Sequence, residues 1–364
     1  MPLTRPRPAA FLALLLAVTV AALTADSGAQ HQQSSEFFGV SGGNVNDRSR
    51  VFCCSGTLGA LVADGNGNLY ILSNNHVMAR TNQAVAGEDI SQPGLVDNGC
   101  RVAEIVGDLS AYPLLGSSNV DAAIAQLRPG AMSATGEILD IGVPATTTAA
   151  PVVGLAVAKS GRTTGLTQGT IGAMNATVRV QYQEGCGRGR KFFITYTNQV
   201  VISGTGFSAG GDSGSLIVTN DAQHNPVGLL FAGSSTTTIA NPIDEVLSRV
   251  GAALGSPVSF DLPGTGGGRP GGANSSLGPD EIARGTRAKD AHAAALLSDP
   301  SVLGVGVGED PDAPGRAVLV VYVQRGGRVA IARELNGVRT RVVATDPILA
   351  FGWNEPAGAG CRAR

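Results

Sequence analysis

Between Phe52 and about Phe231, short apolar runs alternate with turn-forming residues. The runs are GTLGALVA (56–63), NLYILSN (68–74), RVAEIVG (101–107), VDAAIAQL (120–127) and APVVGLAVAK (150–159). They continue with GTIGAMNATVRVQY (169–182), KFFITYTNQVVIS (191–203), SLIVTN (215–220) and PVGLLFAG (226–233). The first two flank DGNG (64–67), a strong hairpin signal. Many short strands with almost no helical periodicity predict an all-β sandwich or pair of barrels. A parallel α/β fold would need helices of ten or more residues between strands, and these are missing.

Only NPIDEVLSRVGAAL (241–254) reads as a helix in this region, with Asn241-Pro242 supplying cap and first turn. The stretch 35–50 is polar and Gly/Asn-rich, an ordered lead-in. Beyond 255 comes PGTGGGRPGGANSSLGP (263–279), a linker with nothing to bury. A short α+β module of unassigned role follows. Its helix is ARGTRAKDAHAAALL (283–297), and its strands are SVLGVGVG (301–308), RAVLVVYVQ (316–324) and TRVVAT (340–345). The predicted divisions are therefore 1–29 targeting segment, 30–255 main domain, 256–283 linker, 284–350 module and 351–364 flexible tail.

The N-terminus changes the compartment. Arg5 and Arg7 precede an apolar run from Ala9 to Leu23, and Ser27-Gly28-Ala29 offers a small-residue cleavage site. The run is short for a membrane span, so a cleaved secretory signal is expected, with an extracellular or periplasmic, membrane-free mature protein. Export permits disulfides among Cys53, Cys54, Cys100, Cys186 and Cys361, an odd count whose pairing stays open. No CxxC pair exists and histidines number 4, so neither a metal nor another cofactor is expected. A net charge of −2 gives no reason to expect nucleic acid as a partner. Of the weaker signals, RGRK (188–191) reads as a solvated hairpin tip. GVGVG (304–308) sits within a strand with no helix after it, which argues against phosphate binding.

The chemistry concentrates in three places. FSAGGDSGSLIV (207–218) surrounds Ser213 with small residues before the chain turns apolar. Glycine at 211 lets the amides of Gly211 and Ser213 aim at a common point, as an oxyanion requires. Serine needs a base, and the base a carboxylate to orient it. His31 lies beside the cleavage site, His224 in a turn and His292 in the C-terminal helix; His76 alone ends an apolar strand with solvent access. Asp121 opens an apolar run, where an unpaired carboxylate would cost several kcal/mol. It therefore needs a donor such as His76.

The order His76, Asp121, Ser213, within LSNNHV, VDAAIA and GGDSGS, resembles the chymotrypsin-like (trypsin-like) serine peptidases. GTLGALV and KSGRTTGLTQGTI (159–171) are similar to secreted bacterial and plant narrow-leaf-type members. The resemblance spans roughly residues 40–252 and implies two six-stranded β-barrels with the site between them. It implies His76 as base, Asp121 as its orienter, Ser213 as nucleophile, and the amides of Gly211 and Ser213 as oxyanion donors. It places Phe207 at the base of the specificity pocket, Gly233 near the pocket wall, and Leu229 to Ser235 along the substrate channel. A monomeric serine endopeptidase acting on protein or peptide substrates is the expected function. Phe207, where an acid would select Arg or Lys, predicts no strong basic preference.

Two departures stand out. Val77 follows His76 where many members carry a cysteine, so Cys53 or Cys54 must pair elsewhere or stay reduced. No Ile-Val-Gly-Gly sequence precedes the first strand, so a newly cut N-terminus is not expected to bond Asp212. An inactive relative serving as a binding module is the alternative, against which stand all three triad residues. An α/β-hydrolase esterase would want GxSxG, which Ser215 breaks, and would have to combine Ser213 with Asp244 and His292 across the linker.

Overall fold

The structure, a computed structural model, describes residues 36–50, 52–187, 189–263 and 275–350. The expected signal segment, His31, Arg188, Cys361 and the tail 351–364 lie outside the described residues.

Hairpin after hairpin closes the first barrel. Its strands are β1 (Val40–Asn44), β2 (Gly56–Leu58), β3 (Ala60–Asp64), β4 (Leu69–Ser73), β5 (Asp89–Gln92), β6 (Glu104–Ala111) and β7 (Ala123–Leu127). They pair in the order β3-β4-β7-β6-β5-β1-β2. β2 and β3 are two halves of one strand bent at Gly59, whose N–H still donates to Leu72 O at 2.9 Å, so six staves complete the ring. The second barrel comprises β8 (Ala156–Lys159), β9 (Thr167–Gln183), β10 (Lys191–Ser203), β11 (Leu216–Thr219), β12 (Pro226–Gly233) and β13 (Thr237–Pro242). Their order is β10-β13-β12-β11-β8-β9, and the β9–β10 pairing closes it. The expected double six-stranded, chymotrypsin-like barrel is therefore present.

Pattern reading located the long apolar strands and passed over β1, β5 and β13. β1 is VSGGN, polar and small, yet all five residues are buried. A Cβ on Gly42 would lie 2.3 Å from Leu58 Cγ, so close strand approach selects small residues and erases the alternation.

Two helices serve the barrels. One turn, α1 (Asn75–Met78), follows β4, and α2 (Ile243–Leu254) ends the main domain. α2 begins two residues later than expected because Asn241-Pro242 completes β13 and Pro242 takes the N-cap position. Its buried Ile243, Val246 and Val250 join the core of the first barrel, which binds the two barrels from behind.

The C-terminal segments extend this framework. β14 (Val258–Ser259) pairs with β3, so part of the expected linker is structured; 264–274 is outside the described residues. Helix α3 (Pro279–Leu297), β15 (Val302–Glu309), β16 (Ala317–Gln324), β17 (Glu334–Leu335), β18 (Val338–Thr345) and β19 (Leu349–Ala350) follow. β15 pairs antiparallel with β9, setting Gly304 opposite Val178, so the module's sheet is continuous with the second barrel. The glycines of GVGVG permit this: Cβ atoms at Gly304 and Gly306 would lie 2.9 Å and 3.1 Å from Val178 Cγ1 and Ala176 Cβ. Packing against the barrel, not ligand binding, accounts for that motif.

Gly59 is the tightest point between the barrels. A Cβ there would fall 1.8 Å from the carbonyl oxygen of Gly214. Gly59→Ala should therefore destabilise the protein by about 1–3 kcal/mol. Urea unfolding will test this against Gly65→Ala, whose Cβ would meet only Ser256 Oγ at 3.8 Å; equal effects would refute the close contact.

Candidate active site

The chain leaves β4 at Ser73 and turns at once, because the carbonyl of Asn74 accepts from Val77 and Met78 at 3.2 Å and 3.0 Å. His76 thus sits in α1, three residues beyond the strand end. Its backbone N–H donates to Asp121 Oδ1 at 3.2 Å and its Nδ1 meets Asp121 Oδ2 at 2.6 Å. His76 is 5% exposed and Asp121 0%.

The acid is held on every side. Asn241 Oδ1 accepts its N–H at 2.9 Å, and Asn74 Nδ2 donates to its carbonyl at 2.7 Å. The Tyr182 hydroxyl donates to Oδ2 at 2.8 Å and lies 2.8 Å from the Tyr196 hydroxyl. Burial, and then the neighbouring Asp121, holds the Tyr182 phenol well above its ordinary pKa, so it stays a neutral donor. Two carboxylate oxygens with three donors satisfy the buried charge and leave Nε2 of His76 as the ring nitrogen facing other groups.

Ser213 lies in the loop before β11 and is 0% exposed. Its carbonyl accepts from Thr57 N–H at 2.8 Å, while Thr57 Oγ1 donates to Gly211 O at 2.9 Å. Gly56 sits between the two halves of the site: a Cβ there would lie 2.5 Å from Val77 Cγ2 and 3.0 Å from Ser213 O. The serine loop and the histidine turn therefore flank one glycine of the first barrel. Gly211 and Gly214 adopt φ of 99° and 97°, a region L side chains rarely enter. Other loop amides are engaged within the fold, Asp212 N–H on Ala209 O, Gly214 N–H on Leu230 O and Ser215 N–H on Asp212 O.

What orders this loop is internal. Asp212 Oδ1 accepts from the amides of Thr163 and Thr164 at 2.9 Å and 3.1 Å. Its Oδ2 accepts from Ala209 N–H at 2.9 Å and Thr164 Oγ1 at 2.7 Å, with Lys159 Nζ at 3.5 Å. Both members of this ion pair are fully buried. Burial lowers the Lys159 pKa, opposed by the attraction of Asp212. Lys159 also donates to Gly165 O at 2.9 Å and to Thr164 Oγ1. The cation beside Asp212 thus comes from β8.

Cys53 pairs with Cys100 and Cys54 with Cys186. The second bond fastens the turn between β9 and β10 to the first barrel beside His76. Under it lies a crevice of about 10 Å³ lined by His76, Asp47, Cys54, Gln183 and Cys186 among others. Burial pushes the Asp47 carboxyl up to about 7, despite the opposing charges of Arg80 and His76. Arg190, in the RGRK turn, bonds Glu184 at the surface, 2.8 Å.

The structure places the remaining expected residues as follows. Phe207 packs inside the second barrel with Ile202 and Leu230; Gly169, if it carried a Cβ, would meet its ring at 2.8 Å. Its ring is thus a core element and not a pocket floor, buried among the apolar side chains of the second barrel. Gly233 is covered, paired with Thr238 on one side and Leu349 on the other. His292 contacts Asn336 in the C-terminal module at 3.1 Å, and Asp244 is exposed, so the esterase combination has no geometry behind it.

Sequence reasoning missed Asn74, Asn241, Tyr182 and Lys159. Lys159 could have been found by the argument that found Asp121: a lone charge at the end of an apolar run. Nothing in spacing marks Tyr182, which arrives by the fold of the β9–β10 hairpin.

A family model described as the Nal1 C-terminal domain matches residues 113–241, a stretch that contains Asp121 and Ser213. Among solved structures, the chain is similar to a glutamic-acid-specific serine protease whose description names a histidine triad in substrate binding. That likeness has 24% identity, 61% of this chain, 98% of that one, and a TM-score of 0.43. Nocardiopsis protease follows at 18% identity, 60% and 97% coverage and TM-score 0.41. Thermobifida fusca protease A matches at 18% identity, 62% and 98% coverage and TM-score 0.40. No curated protein sequence matches significantly.

Two outcomes follow from the buried charges. Lys159→Met should lower stability by about 3–5 kcal/mol in denaturant unfolding, since it strips the cation from a buried carboxylate; an unchanged midpoint would contradict the pairing. For Asp47 the folded pKa of about 7 stands above its ordinary 3.8. The folded state therefore binds the extra proton, and stability is lost as pH rises between those values. The melting temperature of Asp47→Asn relative to the parent should climb from about pH 4 to about pH 7 and level above that; a flat difference would refute the raised pKa.

Proposed function

We propose that this chain is a secreted serine endopeptidase in which Ser213 is the nucleophile, His76 the general base and Asp121 its orienter. The observation that carries the reading is the 2.6 Å contact of His76 Nδ1 with a fully buried Asp121, on a turn that shares Gly56 with the Ser213 loop. Asp121 fixes the tautomer with the proton on Nδ1, so Nε2 is the basic nitrogen available to a hydroxyl. His76 takes the Ser213 proton as Oγ attacks a peptide carbonyl, and returns it to the leaving amine. Water, activated by the same imidazole, then hydrolyses the acyl-enzyme. The amides of Gly211 and Ser213 hold the developing oxyanion, each lowering the barrier by about 2.7–4 kcal/mol. Tyr182 and Asn241 act on the base through Asp121 and are positioning residues.

Secretion is supported by the basic and apolar N-terminal segment and by two disulfides, which persist in oxidising compartments.

A fluorophosphonate probe should label Ser213 in the intact protein, as mapped by peptide mass spectrometry. Ser213→Ala should lose labelling and peptide hydrolysis while melting within a few degrees of the parent. Hydrolysis surviving that substitution would remove Ser213 from the mechanism.

A further inference from the structure

Strand β12 offers one edge to two successive partners. Along Leu229 and Leu230 that edge is covered by the serine loop: Leu216 pairs with Leu229, and Gly214 N–H donates to Leu230 O at 2.9 Å. Beyond the end of β11, the edge continues as Ala232 and Gly233. There β19 takes over, antiparallel, with Ala350 opposite Ala232 and Leu349 opposite Gly233. Two residues of strand, about 7 Å, separate Ala350 from the point where Gly214 is held. The direction matters as much as the place. Leu349 lies farther from the serine loop and Ala350 nearer, so the chain runs along the edge toward Ser213.

The same short strand is fastened from the other side. Leu349 pairs parallel with Gln181 of β9, and Gln181 N–H donates to Ile348 O at 2.9 Å. Ile348 and Ala350 are buried in one cluster with Tyr182, Tyr196, Phe231 and Ala232. Upstream, Ser234 Oγ and Thr345 Oγ1 lie 2.6 Å apart, Ser235 donates to Asp346, and Arg325 Nε reaches Asp346 Oδ1 at 3.3 Å.

An extended peptide whose carbonyl is to meet Ser213 must lie beside the nearest strand edge, where backbone pairing supplies affinity without sequence. That edge is already filled by a strand of matching polarity. Under the peptidase reading the Ala232–Gly233 edge of β12 is where an extended substrate pairs, and we propose that β19 is an internal occupant of that edge, a substrate mimic that must leave before a substrate enters. The side chains that fit this position, Ile348, Leu349 and Ala350, make the substrate class peptides with small or aliphatic residues on the stretch leading to, but not at, the scissile bond. This rests on the serine endopeptidase reading; the occupancy itself is testable without activity.

The binding arm uses full-length Ser213→Ala protein and the peptide Asp-Pro-Ile-Leu-Ala. Added peptide should speed hydrogen exchange across residues 345–350 while Ala232 and Gly233 stay protected. No change in exchange at millimolar peptide would overturn the proposal. The activity arm compares the intact chain with Asp346→Ala and Leu349→Pro, the first removing an anchor and the second a strand N–H. Hydrolysis of an acetyl-Ile-Leu-Ala-Ala anilide should rise several-fold in the first and at least 10-fold in the second. Thermal melts verify that both are folded. Equal hydrolysis in all three, with Ser213 labelled by fluorophosphonate, overturns the occupant and leaves the peptidase standing. Peptide displacing β19 with Ser213 unlabelled in every form upholds the occupied edge and removes the peptidase.

Discussion

The structure depends on a junction in which two backbones touch. Thr57 to Gly59 of the first barrel lies directly on Gly211 to Gly214 of the second, bonded through Thr57 N–H and Oγ1. A Cβ on Gly214 would fall 2.2 Å from Thr57 O, and one on Gly59 1.8 Å from Gly214 O. Neither barrel alone contains both the serine loop and the histidine turn. Their mutual placement is as precise as this contact, which admits only glycine. Interiors packed at this density transmit displacement rather than absorb it.

Around the junction the two barrels place three buried carboxylates, Asp97, Asp212 and Asp121, each with a partner. Arg162 forks onto Asp97 at 2.6 Å and 2.7 Å, while its own N–H donates to Thr57 Oγ1 at 3.0 Å. Lys159 answers Asp212, and His76 answers Asp121. Ion pairs of this kind add little net stability, because desolvation offsets attraction. Their geometry is nevertheless strict, and here all three converge on Thr57, Gly211 and His76. Charge pairing fixes the arrangement of the site, while the apolar barrel cores drive folding.

The C-terminal module belongs to the same physical unit. β15 lengthens the second barrel's sheet through β9, and the long β9–β10 hairpin carries Tyr182 to the acid. A disulfide between Cys54 and Cys186 holds the hairpin over the histidine. One element therefore serves three ends: it closes a barrel, orients the acid and receives the module.

By itself, the sequence determined the strand-rich class, the hairpin at 64–67, the helix before the linker and the elements of the module, and it singled out His76, Asp121 and Ser213 as candidates. These are legible because local physics marks them: alternation marks a half-buried strand, and a charge or a glycine cluster in an apolar run demands an explanation. Tertiary structure alone decided which cysteines pair, that Phe207 fills a core, that Tyr182 and Asn241 serve Asp121, and that β19 lies on β12. Such contacts join residues tens to more than a hundred positions apart. Nothing along the chain encodes a distance of that kind until the barrels close and bring the edges together.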